Sequence, residues 1–120
     1  MRRLALLLIT AAALGAAGCN STQTTRVRGR VVAIRIVDYR LVPQNVSVRR
    51  GVIAFEVRNA GRQPTNFRIR GRGRKRGGVP TLQPGASGRV TLRLRPGSYT
   101  MYSSVGRDEV LGEFGTLTIR

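Results

Sequence analysis

Apolar and polar residues alternate with a period of two through most of the chain that follows Val27. The alternation is clearest in residues 53–58, 67–70 and 89–94. This pattern is typical of antiparallel strands that bury one face and expose the other. Outside the N-terminal segment, no stretch longer than one helical turn has the 3.6-residue period of an amphipathic helix. The sequence therefore predicts an all-β fold.

Short apolar segments separated by turn residues complete the pattern. Further strands are predicted at residues 31–37, 46–48, 99–103 and 116–119. The turn signals between strands are Arg50-Gly51, Asn59-Ala60-Gly61, Pro84-Gly85, Pro96-Gly97 and Gly106. About seven short strands in a chain of this size indicate a β-sandwich or a small barrel.

The length and charge of the chain limit its organisation and its partners. A chain of 120 residues supports one domain. The formal net charge is +17, and Lys75 is the only lysine, so the charge is carried almost entirely by arginine. Such an imbalance favours anionic partners such as lipid headgroups, acidic wall polymers or nucleic acid. The alternative is a solvated surface that is simply rich in arginine.

The N-terminal segment predicts export. Arg2 and Arg3 precede an apolar run at residues 4–17, which is short for a membrane span but suits the central region of a secretory signal. Small residues then precede Cys19, the only cysteine of the chain, and together they resemble a bacterial lipobox with Ala16 where leucine is preferred. We expect a signal peptide at 1–18 and lipidation of Cys19, which would anchor the protein in the bacterial membrane, facing the periplasm or the cell exterior. Ordinary signal cleavage that leaves a free thiol is the alternative.

The segment that follows the cysteine is polar, and NSTQTT at residues 20–25 carries no charge. We predict that residues 19–30 form the lipidated N-terminus and a flexible tether, and that residues 31–120 form the folded domain.

The order of landmarks from residue 31 onward resembles a cupredoxin, the β-sandwich of the blue-copper proteins. The matching segments are YRLVPQNVSVRRGVIAFEVRNAGRQPTNFRI, LQPGASGRVTLRLRPGSYTMYSS and GEFGTLTI. The resemblance implies a Greek-key β-sandwich and, as the usual role of the family, a copper-binding electron carrier of the plastocyanin or azurin type. Fold follows from such a resemblance more securely than function does.

The resemblance also locates four ligand positions, and all four are substituted. The two histidines of the family fall on Thr65 and Asp108, the cysteine on Ser103 and the methionine on or near Glu113. The chain contains no histidine. Because a type 1 copper centre needs a thiolate and imidazoles, we predict that no cofactor binds and that no electrons are transferred. Asn66, which commonly follows the first histidine in the family, is retained, and it either ties the ligand loops together or satisfies a turn.

Two alternatives remain for the substituted positions. The first is a calcium or magnesium site, because the four side chains supply the oxygen donors that these cations prefer. Otherwise Asp108 and Glu109 are solvated turn residues, and Glu113 pairs with a nearby arginine.

Catalysis finds no support in the sequence. There is no histidine to act as a general base, and the five acidic residues show no spacing typical of a carboxylate pair. The acidic residues are Asp38, Glu56, Asp108, Glu109 and Glu113. We therefore predict that the protein is not an enzyme.

The most basic stretch is RGRGRKRGG at residues 70–78. We interpret it as a mobile loop, because alternating glycines disfavour both helix and strand. Its five basic residues are candidates for contact with an anionic lipid or a wall polymer: Arg70, Arg72, Arg74, Lys75 and Arg76. Nucleic acid is not expected as a partner in vivo, since stacking aromatic residues are missing. A solvated loop is the alternative, and the leading prediction for the whole chain is a copper-free binding or structural module of the cell envelope.

Overall fold

The computed structural model describes residues 23–120, and within them the chain forms ten strands. They are β1 (Thr25–Arg26), β2 (Val31–Val37), β3 (Arg40–Val42), β4 (Val46–Val48), β5 (Gly51–Asn59), β6 (Thr65–Gly71), β7 (Arg74–Leu82), β8 (Ser87–Leu94), β9 (Gly97–Tyr102) and β10 (Phe114–Ile119). This part of the chain contains no helix. The all-β prediction is confirmed, with more strands than the seven that we expected.

The strands form two sheets. One has six strands in the order β1-β4-β10-β9-β6-β7, and the other has four in the order β3-β2-β5-β8. Most neighbours are antiparallel, but three pairs are parallel: β1 with β4, β4 with β10, and β2 with β5. Strands β7 and β8 are edge strands of their sheets. They lie next to each other on the same side of the sandwich, since a Cβ atom on Gly77 of β7 would lie 2.8 Å from Leu92 Cδ2 of β8.

The core lies between the two sheets and is built from the apolar positions of the alternating pattern. Phe55 of β5 and Phe67 of β6 are fully buried, and their ring centroids are 5.8 Å apart. Burial alternates residue by residue along β2 and β10, as a sheet with one buried face requires. The period-two pattern thus determines which side of these two strands faces the core.

Two predicted loops are part of the sheets instead. Residues 25–26 lie in the segment predicted as a tether, but they form β1 and pair with Val46 and Ser47 of β4. The glycine-rich stretch 70–78 is not a mobile loop either, because β6 runs to Gly71 and β7 begins at Arg74. The two strands form a hairpin with a two-residue turn, and Gly73 in this turn has a positive φ of 79°. Glycine adopts this conformation easily, so a residue that disfavours a helix suits the hairpin.

The predicted signal peptide, the lipidation site Cys19 and the start of the tether lie outside the described residues. Residues 23–120 contain no helix long and apolar enough to span a membrane.

Candidate functional site

One end of the sandwich carries a long loop between β9 and β10. The loop is closed by its own backbone, because the Ser103 amide donates to the Glu113 carbonyl at 3.2 Å and the Glu113 amide donates to the Asp108 carbonyl at 2.9 Å. Thr65 is the first residue of β6, and β6 pairs with β9. This pairing brings Thr65 to the loop although it precedes Glu113 by 48 residues.

The structure brings together the four residues that the resemblance assigns to the family's ligand positions. The Thr65 hydroxyl donates to Glu113 Oε2 at 2.7 Å, and the Ser103 hydroxyl donates to Asp108 Oδ2 at 2.9 Å. The two hydroxyl oxygens are 3.2 Å apart. All four residues are buried, with Glu113 only 1% exposed. We call Thr65, Ser103, Asp108 and Glu113 the oxygen cluster.

Burial of the cluster changes the acidity of one carboxyl group. Removal from water, together with the neighbouring Asp108 carboxyl, raises the pKa of Glu113 to about 7. The hydrogen bond from Thr65 acts in the opposite direction. Glu113 therefore exchanges its proton at a higher pH than an exposed glutamate does.

The structure contradicts the expectations that Asp108 is a solvated turn residue and that Glu113 pairs with an arginine. Asp108 is buried, and Glu113 bonds to Thr65 instead of to an arginine. Glu109 is the residue that pairs with an arginine, since Arg70 donates to both of its carboxylate oxygens. This hydrogen bonding holds the pKa of Glu109 below its usual value. Residue spacing alone did not reveal that Asp108 and Glu113 lie together, because the two residues meet through an irregular loop, and only the resemblance assigned both to one site.

Asn66 connects the same two segments from the side. Its Nδ2 atom donates to Ser104 Oγ at 2.8 Å, and its Oδ1 atom accepts from the Ser104 amide at 2.8 Å. Asn66 therefore does more than satisfy a turn, because it holds the start of β6 against the β9–β10 loop.

The donor set of the oxygen cluster does not fit a type 1 copper ion. Two hydroxyl groups and two carboxyl groups supply neither the thiolate nor the imidazoles that such a centre needs. Within residues 23–120, no three His, Cys, Asp or Glu side chains are grouped as metal ligands. The cluster oxygens are bonded to one another, and no buried polar side-chain atom of the described residues lacks a partner.

The candidate anion-contact residues of the β6–β7 hairpin do not form one surface. Arg70 binds Glu109, and its guanidinium lies 4.2 Å from the centroid of the Tyr102 ring. Lys75 lines a cavity of 330 Å³ beside Tyr102 and Ser104.

The remaining three candidates meet two arginines that the sequence analysis missed. Around a cavity of 460 Å³ lie Arg72, Arg74, Arg76, Arg93, Arg95 and Tyr99. Arg93 and Arg95 belong to the run LRLRPG, whose alternating arginines were the available signal. We call this the arginine pocket.

Comparison with known proteins agrees with the resemblance noted in the sequence. The sequence profile of the cupredoxin-like domain matches residues 4–114. No curated protein matches the sequence.

Solved structures of blue-copper proteins share the fold. Auracyanin from Roseiflexus castenholzii, in its dithionite-reduced state, superposes with a TM-score of 0.70 at 16% identity, covering 77% of this chain and 98% of its own. Auracyanin A from Chloroflexus aurantiacus, described as a blue copper protein, gives 0.67 at 12% identity over 80% of this chain and 100% of its own. Reduced rusticyanin gives 0.64 at 12% identity over 81% and 84%. The chain belongs to the cupredoxin-like domain family.

Proposed function

We propose that this protein is an exported, membrane-anchored cupredoxin-like lipoprotein that has lost the type 1 copper site and acts as a binding or structural module of the cell envelope. The observation that carries the proposal is the oxygen cluster. The four positions that hold copper in the family are here hydrogen-bonded to one another and buried. They stabilise the β9–β10 loop in place of a metal.

The second candidate function is a copper-binding electron carrier. It is favoured by the usual role of the family and by the structural similarity to blue-copper proteins. The chemistry of the residues argues against it. A serine hydroxyl ionises far above neutral pH and does not replace a thiolate, and the chain has no histidine to recruit. Calcium or magnesium is a poorer fit than the mutual hydrogen bonds, because the two carboxyl groups would have to lose those bonds and the surrounding chain carries a charge of +17.

We also propose that the protein is not an enzyme, because a substrate cannot reach its paired carboxyl groups. Within residues 23–120, the Asp108 and Glu113 carboxyl groups lie together and are buried with their hydroxyl partners. A substrate would have to open the loop before it met either as a general acid or base.

A copper titration tests the central point. The protein carrying Cys19→Ser has no thiol left to bind copper non-specifically, and we expect that it retains no copper after gel filtration. The matched positive control restores the family ligands through Thr65→His, Ser103→Cys, Asp108→His and Glu113→Met, and it should acquire intense blue absorption on addition of copper. Stoichiometric copper that remains on the Cys19→Ser protein would refute the loss of the site.

Membrane attachment is tested separately. Cells that express the wild-type chain should hold it in the membrane fraction after a high-salt wash, and Cys19→Ser should release it because the lipid can no longer be attached. The high-salt wash removes attachment by the basic surface alone. Equal membrane retention of the two proteins would contradict lipidation.

A further inference from the structure

The arginine pocket is a concentrated positive charge at one end of the sandwich. It lies where the β6–β7 hairpin meets the end of β8 and the turn before β9, and five arginine side chains line its 460 Å³. Cavities of this size are typical of sites for small ligands. The pocket is distinct from the oxygen cluster, with which it shares no residue.

The hairpin places arginine at a turn position that arginine normally avoids. Arg72 has a φ of 54° and Gly73 a φ of 79°, so both are left-handed, as a two-residue type I′ turn requires. Asparagine and glycine are the residues that adopt this conformation easily, and a longer side chain there costs free energy. Strain of this kind is retained mostly where a side chain has a function.

Two of the five guanidinium groups are oriented by contacts with the protein. Arg72 Nη1 donates to the Pro96 carbonyl at 3.0 Å, and Arg76 Nε donates to the Gly71 carbonyl at 3.1 Å. The Arg76 guanidinium also lies 5.8 Å from the centroid of the buried Tyr99 ring. These bonds use only part of the donor capacity, because each guanidinium has five N–H groups. The remaining donors are available to a ligand.

The protein supplies no negative charge to this pocket. None of the five acidic residues of the chain lines it. Glu56 binds Arg89, Glu109 binds Arg70, Asp38 accepts from the backbone of residues 62 and 63, and the other two belong to the oxygen cluster. Five like charges around one cavity repel one another, and an external anion would remove this repulsion.

We propose that the arginine pocket binds a phosphate-bearing anion. The planar guanidinium group of arginine matches the geometry of phosphate oxygens and binds them through paired hydrogen bonds. Five guanidinium groups around one cavity suit an anion that presents several phosphate oxygens at the same time. A lipid headgroup and a soluble phosphate ester offer the same chemistry. The site requires Arg93 and Arg95 of β8 and its following turn, and it does not require Arg70 or Lys75.

Isothermal titration of the full chain in neutral detergent with inorganic pyrophosphate tests the proposal. We expect saturable binding to one site. The double substitution R93Q/R95Q should weaken the affinity by about 100-fold, at about tenfold for each charged hydrogen-bonding side chain that is removed.

A second variant separates binding from folding. Arg72→Asn removes a guanidinium and also places asparagine at a turn position that favours it. We expect a thermal midpoint equal to or above that of the wild type, together with an affinity about tenfold lower. A loss of affinity in this variant cannot be attributed to misfolding.

The matched control is R40Q/R62Q, which removes the same charge from two exposed arginines outside the pocket. It should change the affinity by less than about threefold at constant ionic strength, because distant exposed charges are screened. Equal losses in the control and in R93Q/R95Q would overturn the proposal, since they would show attraction by net charge alone. Failure of every probe to bind would overturn it as well.

The source of the phosphate is identified by a parallel titration with monomeric short-chain phosphatidylglycerol. Pocket-dependent binding of this lipid supports a membrane headgroup as the ligand, and binding of pyrophosphate alone supports a soluble phosphate ester. Each result retains the phosphate site, and the copper experiments neither support nor weaken it.

Discussion

Replacing Glu113 by glutamine is expected to stabilise the protein at pH 8 and to change its stability little at pH 4. Glu113 is almost completely buried, and burial followed by the neighbouring Asp108 carboxyl raises its pKa from 4.5 to about 7. Glutamine has the shape of the protonated side chain and carries no charge. The substitution therefore mimics at every pH the form that the folded protein prefers.

The sign and size follow from proton linkage. Below pH 4.5 the carboxyl group is protonated in both the folded and the unfolded protein, so it imposes no penalty. Between pH 4.5 and about 7 the folded state holds the proton more tightly than the unfolded chain, and the free energy of unfolding falls as the pH rises. At about 1.4 kcal/mol for each tenfold difference in proton affinity, the full penalty above pH 7 is about 3 kcal/mol.

Urea denaturation at several pH values between 4 and 8 measures this effect, and the chain has no histidine to add its own slope in this range. The wild type should lose up to about 3 kcal/mol across the range, and Glu113→Gln should remove most of that loss. The control is Glu56→Gln, whose exposed ion pair with Arg89 is worth at most about 1 kcal/mol and leaves the pH dependence of the wild type in place. A wild-type stability that is constant or increasing from pH 5 to pH 8 would refute the reasoning.

Two further substitutions test the packing around the functional regions. Asn59→Ala should lower the free energy of unfolding by about 2 to 4 kcal/mol in urea denaturation. The buried Asn59 amide donates to the carbonyls of Gln63 at 2.8 Å and Leu82 at 2.9 Å, and both carbonyls would lose this partner. A loss below about 1 kcal/mol would mean that water replaces the amide. Gly71→Ala should lower the free energy of unfolding by about 1 to 3 kcal/mol. The new methyl group would lie 2.5 Å from Tyr99 Cδ1 at the base of the arginine pocket. An unchanged thermal midpoint would contradict this packing.

The alternation of apolar residues was sufficient to predict the sheets and their inner faces. Phe55 and Phe67 lie where the period-two pattern placed them, facing the core. Local pattern succeeds here because the strand geometry itself sends successive side chains to opposite faces. The same local reasoning failed for residues 70–78, which we predicted to be a mobile loop because glycine disfavours a strand. These residues form the β6–β7 hairpin, and β7 packs next to β8.

The resemblance to the cupredoxins, carried by the order of short motifs, was sufficient to name the four residues of the oxygen cluster. It did not show that Asp108 and Glu113 are buried together, because nothing in an acidic loop sequence distinguishes a solvated carboxylate from one that folds inward onto Thr65. The raised pKa of Glu113 follows from that burial, so it too depends on the tertiary structure.

The sequence by itself determined the fold class, the family, the excess of arginine and the lack of histidine. Only the tertiary structure decided which arginines act together. Arg72 and Arg95 are neighbours because the edges of two different sheets pack side by side, whereas Arg70, two residues from Arg72, turns to Glu109 and away from the pocket. Strand periodicity is a local property of the chain, but a site composed of side chains from separate strands depends on how those strands pair and pack.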